Sequence, residues 1–190
     1  MRLLIPLEAF ITPTLLVAIA EIGDKTQLLS FMLAAKLRRP YPIIAGIFVA
    51  TLLNHAITAI VGTWLASLIS AEILNWVVGL SFICFGLWAL KPDQLDSNPR
   101  ILGAGVFVTT LIAFFLAEMG DKTQFATVAL VAHYDEMTLV VLGTTLGMMI
   151  ANVPAVWLGE ALAHRINMQW VRWFAAASFV LMGCWTLTGD

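Results

Sequence analysis

The heptapeptide Glu21-Ile22-Gly23-Asp24-Lys25-Thr26-Gln27 returns 97 residues later as Glu118-Met119-Gly120-Asp121-Lys122-Thr123-Gln124, with six identities in seven positions. The same offset aligns Gly46 with Gly143, Gly62 with Gly159, Trp76 with Trp173, Ser81-Phe82 with Ser178-Phe179, Gly86 with Gly183 and Trp88 with Trp185. The chain therefore reads as two copies of one unit in a single gap-free register. Each heptapeptide carries three charged side chains, yet apolar residues 15–20 precede the first and 112–117 the second. Any fold for this chain must hold charge inside an apolar interior twice over.

Composition says what that interior faces. Of 190 residues 61% are hydrophobic and 12% charged, and the mean hydropathy is +0.92. A water-soluble chain carries about 25% charged and 45–50% apolar residues, so the apolar excess belongs against lipid. Six runs are long enough for the ~20 residues that a membrane-crossing helix needs: 10–35, 42–66, 71–90, 101–132, 138–161 and 169–188. The expected fold is an all-α polytopic membrane protein, one membrane domain over 1–190, with repeat one over about 8–90, a linker at 91–100 and repeat two over 101–188. No cleavable signal is evident, because the first apolar run is too long and lacks a small-residue cleavage site. The net charge of -2 leaves no basic surplus for a nucleic acid. Cys84 and Cys184 have no metal-ligand spacing and are expected as small core residues.

Three spans per copy is an odd number, so the second copy enters the membrane from the side opposite to the first. Six spans as two inverted three-helix repeats is the layout of secondary transporters, whose substrate site lies near the midplane on interrupted helices. Orientation follows from Lys and Arg near the span ends. Lys36, Arg38, Arg39, Lys91, Arg100 and Arg165 fall on one side and only Arg2 on the other, which places both termini outside the cytoplasm. Asp135 and Glu136 then lie outside as a solvated turn, or alternatively as a cation-concentrating entrance. Gly143 and Gly147, matched by Gly46 and Ala50, are expected where helix backbones approach closely.

Insertion scales put each centrally placed charge at about 2.5–3.5 kcal/mol, so Glu21, Asp24, Lys25, Glu118, Asp121 and Lys122 together cost on the order of 15–20 kcal/mol if unpaired. One offset is ion pairing at i,i+4, Glu21 with Lys25 and Glu118 with Lys122; it leaves Asp24 and Asp121 over. Two acids and one base per copy otherwise make a site of net charge -2, which a divalent cation balances. Glu21 and Asp24 are three apart and so share a helix face, as do Glu118 and Asp121. The glycine between them allows the helix to loosen and free backbone carbonyls. Thr26, Thr123, Gln27 and Gln124 add neutral oxygens. An all-oxygen set suits Ca²⁺, Mn²⁺ or Mg²⁺ and argues against Zn²⁺ and Cu⁺.

Asn54, His55, Asn152 and Pro154 are candidates to line the same cavity, with interhelical hydrogen bonding as the alternative role. His55 aligns with Asn152 at the offset. Met148 and Met149 are expected as packing residues, with a thioether ligand favouring Mn²⁺ as the alternative. Trp64, Trp76, Trp88, Trp157, Trp170, Trp173 and Trp185 read as an interfacial belt. Glu160 faces Thr63 in the alignment and acquires no role.

The doubled E-x-G-D-[KR]-[ST] motif in two three-span repeats resembles the GDT-type family of cation/proton antiporters of Golgi, chloroplast and bacterial inner membranes, bacterial manganese exporters among them. Both motifs match in full, and the resemblance covers nearly the whole chain. It implies six core spans and export or compartmental loading of Mn²⁺ and Ca²⁺, with essential acids at Glu21, Asp24, Glu118 and Asp121. The long amino-terminal targeting segment and large central loop of many eukaryotic relatives are missing here, which favours a bacterial plasma membrane. The expected function is export of Mn²⁺, with Ca²⁺ as alternative, in exchange for protons carried by Glu21 and Glu118. Lys25 and Lys122 balance charge in the empty state. The metal is cargo and no cofactor is expected; a homo-oligomer is possible. A passive channel and a structural scaffold are the rivals. A membrane enzyme is disfavoured, since no nucleophile has a partnered base.

Overall fold

The computed structural model describes residues 4–91, 103–158 and 168–188. These form eight helices, with no strand among the described residues: α1 (Leu4–Glu21), α2 (Lys25–Leu37), α3 (Pro40–Ser67), α4 (Ala71–Ala89), α5 (Val106–Glu118), α6 (Lys122–Tyr134), α7 (Met137–Leu158) and α8 (Met168–Thr188). Arg2, Arg100, Glu160 and Arg165, on which part of the orientation and one unassigned carboxylate depend, lie outside the described residues, as does most of the 91–100 linker.

Two of the six expected runs are not single helices. The run 10–35 is divided between α1 and α2, and 101–132 between α5 and α6. Gly23 has φ 82° and Gly120 φ 76°, a left-handed backbone that an L side chain adopts only at a cost of roughly 1–2 kcal/mol. Each glycine therefore stands in the break between one helix and the next. Three helical segments are long and apolar enough to cross a membrane unaided, Pro40–Ser67, Glu72–Ala89 and Met137–Trp157. Among the described residues the chain is apolar and its regular structure is all helix, as in a membrane protein.

Element boundaries follow the repeat. α1 and α5 end at Glu21 and Glu118, and α2 and α6 start at Lys25 and Lys122, each pair 97 residues apart. The helices α2 and α6 even end alike, on the left-handed non-glycine residues Arg38 (φ 51°) and Asp135 (φ 52°). Their N–H groups close the last turn onto Ala34 O and Val131 O at 3.0 Å, satisfying carbonyls that a helix end otherwise leaves open. Pro40 then opens α3, where a missing N–H costs nothing.

The most extensive pairings run between the copies: α4 along α8, α1 along α7 and α3 along α5. Small residues make this possible. A Cβ on Gly143 would meet Phe10 O at 2.5 Å, one on Gly147 would meet Thr14 O at 2.6 Å, and one on Gly46 would meet Thr110 Cβ at 2.8 Å. These glycines are seams between α7 and α1 and between α3 and α5, as the small-residue spacing predicts.

The cysteines correct an expectation: Cys84 and Cys184 are exposed rather than core. They sit on outward faces of α4 and α8, and since lipid tails are as apolar as a core, an apolar run does not tell one environment from the other. All seven tryptophans are exposed as well. Met148 is fully buried, and Met149 packs on an apolar cluster with Leu29, Leu33, Ile43, Ile47 and Phe114.

Candidate cation site

The two helix breaks build one polar centre. In the first, Asp24 stands at the N-cap of α2 with extended φ -83° and ψ 171°, and its N–H donates to Glu21 O at 3.1 Å. In the second, Asp121 caps α6 with φ -78° and ψ 160° and donates to Glu118 O at 3.0 Å. Both aspartates thus sit at helix N-termini, whose free N–H groups and dipole favour negative charge. Glu21 and Asp24 consequently do not share one continuous helix face, nor do Glu118 and Asp121. Each glutamate ends the helix before the break and each aspartate starts the helix after it.

The ion pairs differ from the i,i+4 alternative for the same reason. A break between Glu21 and Lys25 removes the helical register that would align them, and each lysine instead reaches across to the other copy. Lys25 Nζ lies 2.7 Å from Asp121 Oδ1, and Lys122 Nζ lies 3.1 Å from Asp24 Oδ1. The aspartates that sequence spacing left over are the ones paired.

Glu21 and Glu118 are fully buried. Glu21, Glu118 and Asp121 each offer a carboxylate oxygen within 4.8 Å of the others. Thr26 Oγ1 donates to Glu21 Oε2 at 2.6 Å. Thr123 Oγ1 is instead placed between Glu118 Oε2 at 3.4 Å and Asp121 Oδ2 at 3.2 Å. The second oxygens, Glu21 Oε1 and Glu118 Oε1, have no hydrogen-bond partner among the described residues. Two buried carboxylate oxygens without donors are costly to leave unmatched, and they mark where a proton or a cation would be received.

Gln27 and Gln124 brace the breaks. Gln27 Oε1 accepts the Gly23 N–H at 2.8 Å, and its Nε2 donates to Ala151 O at 2.9 Å. Gln124 Oε1 accepts the Gly120 N–H at 2.9 Å, and its Nε2 donates to Asn54 Oδ1 at 3.3 Å. Both glutamines thereby tie a hinge glycine to a long helix of the other copy. Asn152 Oδ1 accepts from Ser30 Oγ at 2.8 Å, and its Nδ2 donates to Met148 O at 3.0 Å. His55 is buried with neither ring nitrogen hydrogen-bonded among the described residues. Ser30 was not singled out by sequence; the signal was its position one turn after Gln27 on an otherwise apolar helix.

Comparison with known proteins identifies the lineage. The family model described as "Divalent cation/proton antiporter GDT1" matches residues 9–97 and 106–190, two stretches that each contain one acidic heptapeptide. The chain belongs to the GDT1 family. It is 51% identical over 167 residues to a Vibrio cholerae protein named "Putative manganese exporter", covering 87% of this chain and 84% of that protein. A GDT1-like protein of Synechocystis is 28% identical over 199 residues, covering 92% and 94%. GDT1-like protein 5 of Arabidopsis thaliana is 26% identical over 224 residues, covering 95% and 96%. No solved structure matches the chain. GDT1 membership makes the protein a transporter of the cation/proton antiporter class and not an enzyme.

Proposed function

We propose that this GDT1 protein exports a divalent cation, Mn²⁺ first and Ca²⁺ as the alternative, in exchange for protons. It does so by alternating access of two inverted three-span halves in a bacterial plasma membrane, with both termini outside. The observation that carries the reading is the convergence of four acids and two lysines from both helix breaks onto one buried centre. The V. cholerae relative's name supports manganese as cargo.

Charge gives the cycle its logic. With Asp24 and Asp121 held by Lys122 and Lys25, the glutamates supply the two remaining negative charges. One M²⁺ on Glu21 and Glu118 neutralises them, and so do two protons. A centre neutral in both states avoids carrying net charge through a low-dielectric interior, whereas an empty, fully ionised centre would be penalised. Protons and metal compete for the same oxygens, so loading one expels the other. Thr26 and Thr123 hold Glu21 and Glu118 in place, and the lysines keep the aspartates anchored while the cargo is absent. Gln27 and Gln124, whose carboxamide oxygens already accept glycine N–H groups, act as braces of the breaks in this cycle rather than as ligands.

The test is reconstitution in liposomes, with Mn²⁺ uptake and internal pH followed together, and with Ca²⁺ and Mg²⁺ as competing cargo. Mn²⁺ entry accompanied by proton exit at about two per ion is the expected result. The Glu21→Gln plus Glu118→Gln variant should bring uptake to the level of protein-free vesicles. Mn²⁺ flux without proton movement would identify a channel, and unchanged exchange in the double variant would remove the glutamates from the cycle.

A further inference from the structure

One cavity and one side-chain contact have no moving part in the exchange cycle described above. The cavity, about 310 Å³, lies between α3, α5 and α6, with Thr58 and Val61 on one wall, Met119 and Val128 on the others, and Asn54 and Gln124 side by side. Asn54, Thr58 and Gln124 are its polar lining residues, set among the apolar Ile57, Val61, Phe115, Met119, Phe125 and Val128. From Asn54 it extends along the halves of α3 and α6 that lead to Ser67 and Tyr134.

The contact between Asn54 and Gln124 has a counterpart in the first copy, and the two differ in kind. Gln27 reaches the main-chain carbonyl of Ala151 in a fully buried bond of 2.9 Å. Ala151 stands 97 residues after Asn54, so in the second copy the acceptor is a side chain, at 3.3 Å and only partly buried. A main-chain carbonyl inside a helix cannot swing away, whereas an Asn side chain turns about two single bonds. Asn54 also donates to Phe115 O at 3.1 Å, so it ties α3 to both α5 and α6 at once. The hinge beside it has room to move: nothing lies within 4 Å of where a Cβ on Gly120 would stand, and Met119 is 57% exposed. Gln27, by contrast, is buried.

We propose that Asn54 and Gln124 form a releasable latch on the second helix break, and that the cavity beside them is the aqueous route by which the divalent cation reaches or leaves the acid cluster. The first break stays clamped to Ala151. When the latch opens, Gly120 is freed, α6 shifts relative to α3, and the cavity becomes continuous with the acids. Asn54 is then a positioning residue, acting on the cargo through Gln124 and the hinge. This inference rests on the exchange reading.

Two measurements test it, both on the full chain in liposomes with Cys84→Ser and Cys184→Ser in the background. First, Thr58→Cys is compared with Ala155→Cys, its counterpart in the other copy, for reaction with a charged, water-soluble methanethiosulfonate; both side chains are buried, at 9% and 0% exposure, and only Thr58 lines the cavity. Thiol modification requires solvent access, and the expected rate is at least about tenfold higher at position 58. Equal rates, or no reaction at position 58 because lipid fills the groove, overturn the aqueous route. Second, Asn54→Ala, Gln124→Ala and the double variant are compared for maximal Mn²⁺ flux, with detergent melting temperatures confirming that each is folded. Each single change removes the Asn54–Gln124 bond together with one bond of its own, to Phe115 O or from Gly120 N, and should lower flux at least about threefold. The double variant should lose less than the product of the two single losses, because the bond they share is counted only once, and Asn54→Ala should speed labelling of Thr58→Cys. Losses that multiply, or labelling unchanged by Asn54→Ala, overturn the latch. The labelling contrast needs no transport: a wild-type chain without coupled flux sinks the exchanger, while coupled flux without labelling contrast sinks only this route.

Discussion

The two helix breaks share six of seven residues, yet they are not equally secured. In the first, Thr26 commits its hydroxyl to Glu21 at 2.6 Å, Gln27 is buried against Ala151 O, and Ser30 bonds Asn152. In the second, Thr123 is divided between Glu118 and Asp121 at longer range, Gln124 meets a side chain beside a cavity, and Thr127 turns back to Thr123 O at 2.8 Å. The motif cannot cause this difference, because it is nearly identical in both copies. The difference comes from residues outside it: Asn54 against Ala151, His55 against Asn152, and Thr127 against Ser30. A duplicated site becomes asymmetric through its surroundings, and the proposed latch draws on that asymmetry, with one break moving while the other holds.

The ion pairs offer the strongest way to break this comparison. The Lys122 side chain is 7% exposed and that of Lys25 is 21% exposed. Losing one partner of a buried pair costs about 3–5 kcal/mol, so Lys122→Met should lower the melting temperature in detergent well below that of wild type, and Lys25→Met should lower it distinctly less. Equal losses would mean that the breaks are equivalent in stability.

Next in size are the hinge glycines. Gly120→Ala meets no steric obstacle, so its cost is the left-handed backbone alone, roughly 1–2 kcal/mol. Gly143→Ala would force a methyl onto Phe10 O and should cost about 1–3 kcal/mol through overpacking. Thermal unfolding checks both, and Mn²⁺ flux should separate them further, with the hinge variant losing more transport per degree of melting temperature lost.

A smaller effect is expected at the threonines. Thr26→Val removes a short hydrogen bond to a buried carboxylate, worth about 1 kcal/mol or somewhat more, and should weaken apparent Mn²⁺ affinity about five- to tenfold. Thr123→Val, whose bonds are long, should do less. Reversal of that order in flux titrations would show that the second break is the tighter one during transport.

The smallest effect lies at the helix ends, where His133 occupies the place that Lys36 holds in the first copy. His133 packs edge-on to Tyr134 and Phe82 and meets Thr186 Oγ1 at 3.4 Å. Burial holds its imidazole below the ordinary 6.5. The unfolded chain therefore binds the proton first as pH falls, so stability declines from about pH 6.5 downward and levels off beneath the folded-state value. His133→Gln should flatten that part of the melting-temperature profile between pH 7.5 and 5.

Much of the site was legible from spacing. The glycines between paired acids marked where helices must loosen, because a left-handed residue is cheap only for glycine, and the repeat register foretold that both breaks would match. What spacing misjudged was pairing. Glu21 and Lys25 are neighbours only if the helix is continuous, and the same glycine that signalled the break invalidated the i,i+4 argument. Gln27 and Gln124 read as spare oxygens because nothing in the chain revealed that Gly23 and Gly120 would leave N–H groups to satisfy. Cys84 and Cys184 read as core because lipid and core demand the same side chains.

The sequence alone determined the apolar helices, the doubled acidic motif, the close glycine seams and the GDT1 lineage, since each depends on residue type and local order. Only the tertiary structure decided that lysines cross to the opposite copy's aspartates, that two glutamates meet with one oxygen each unmatched, and that one brace ends on a backbone carbonyl and the other on a side chain. Those facts depend on which helices stand side by side, and contacts between residues a hundred positions apart leave no periodicity in the chain from which to read them.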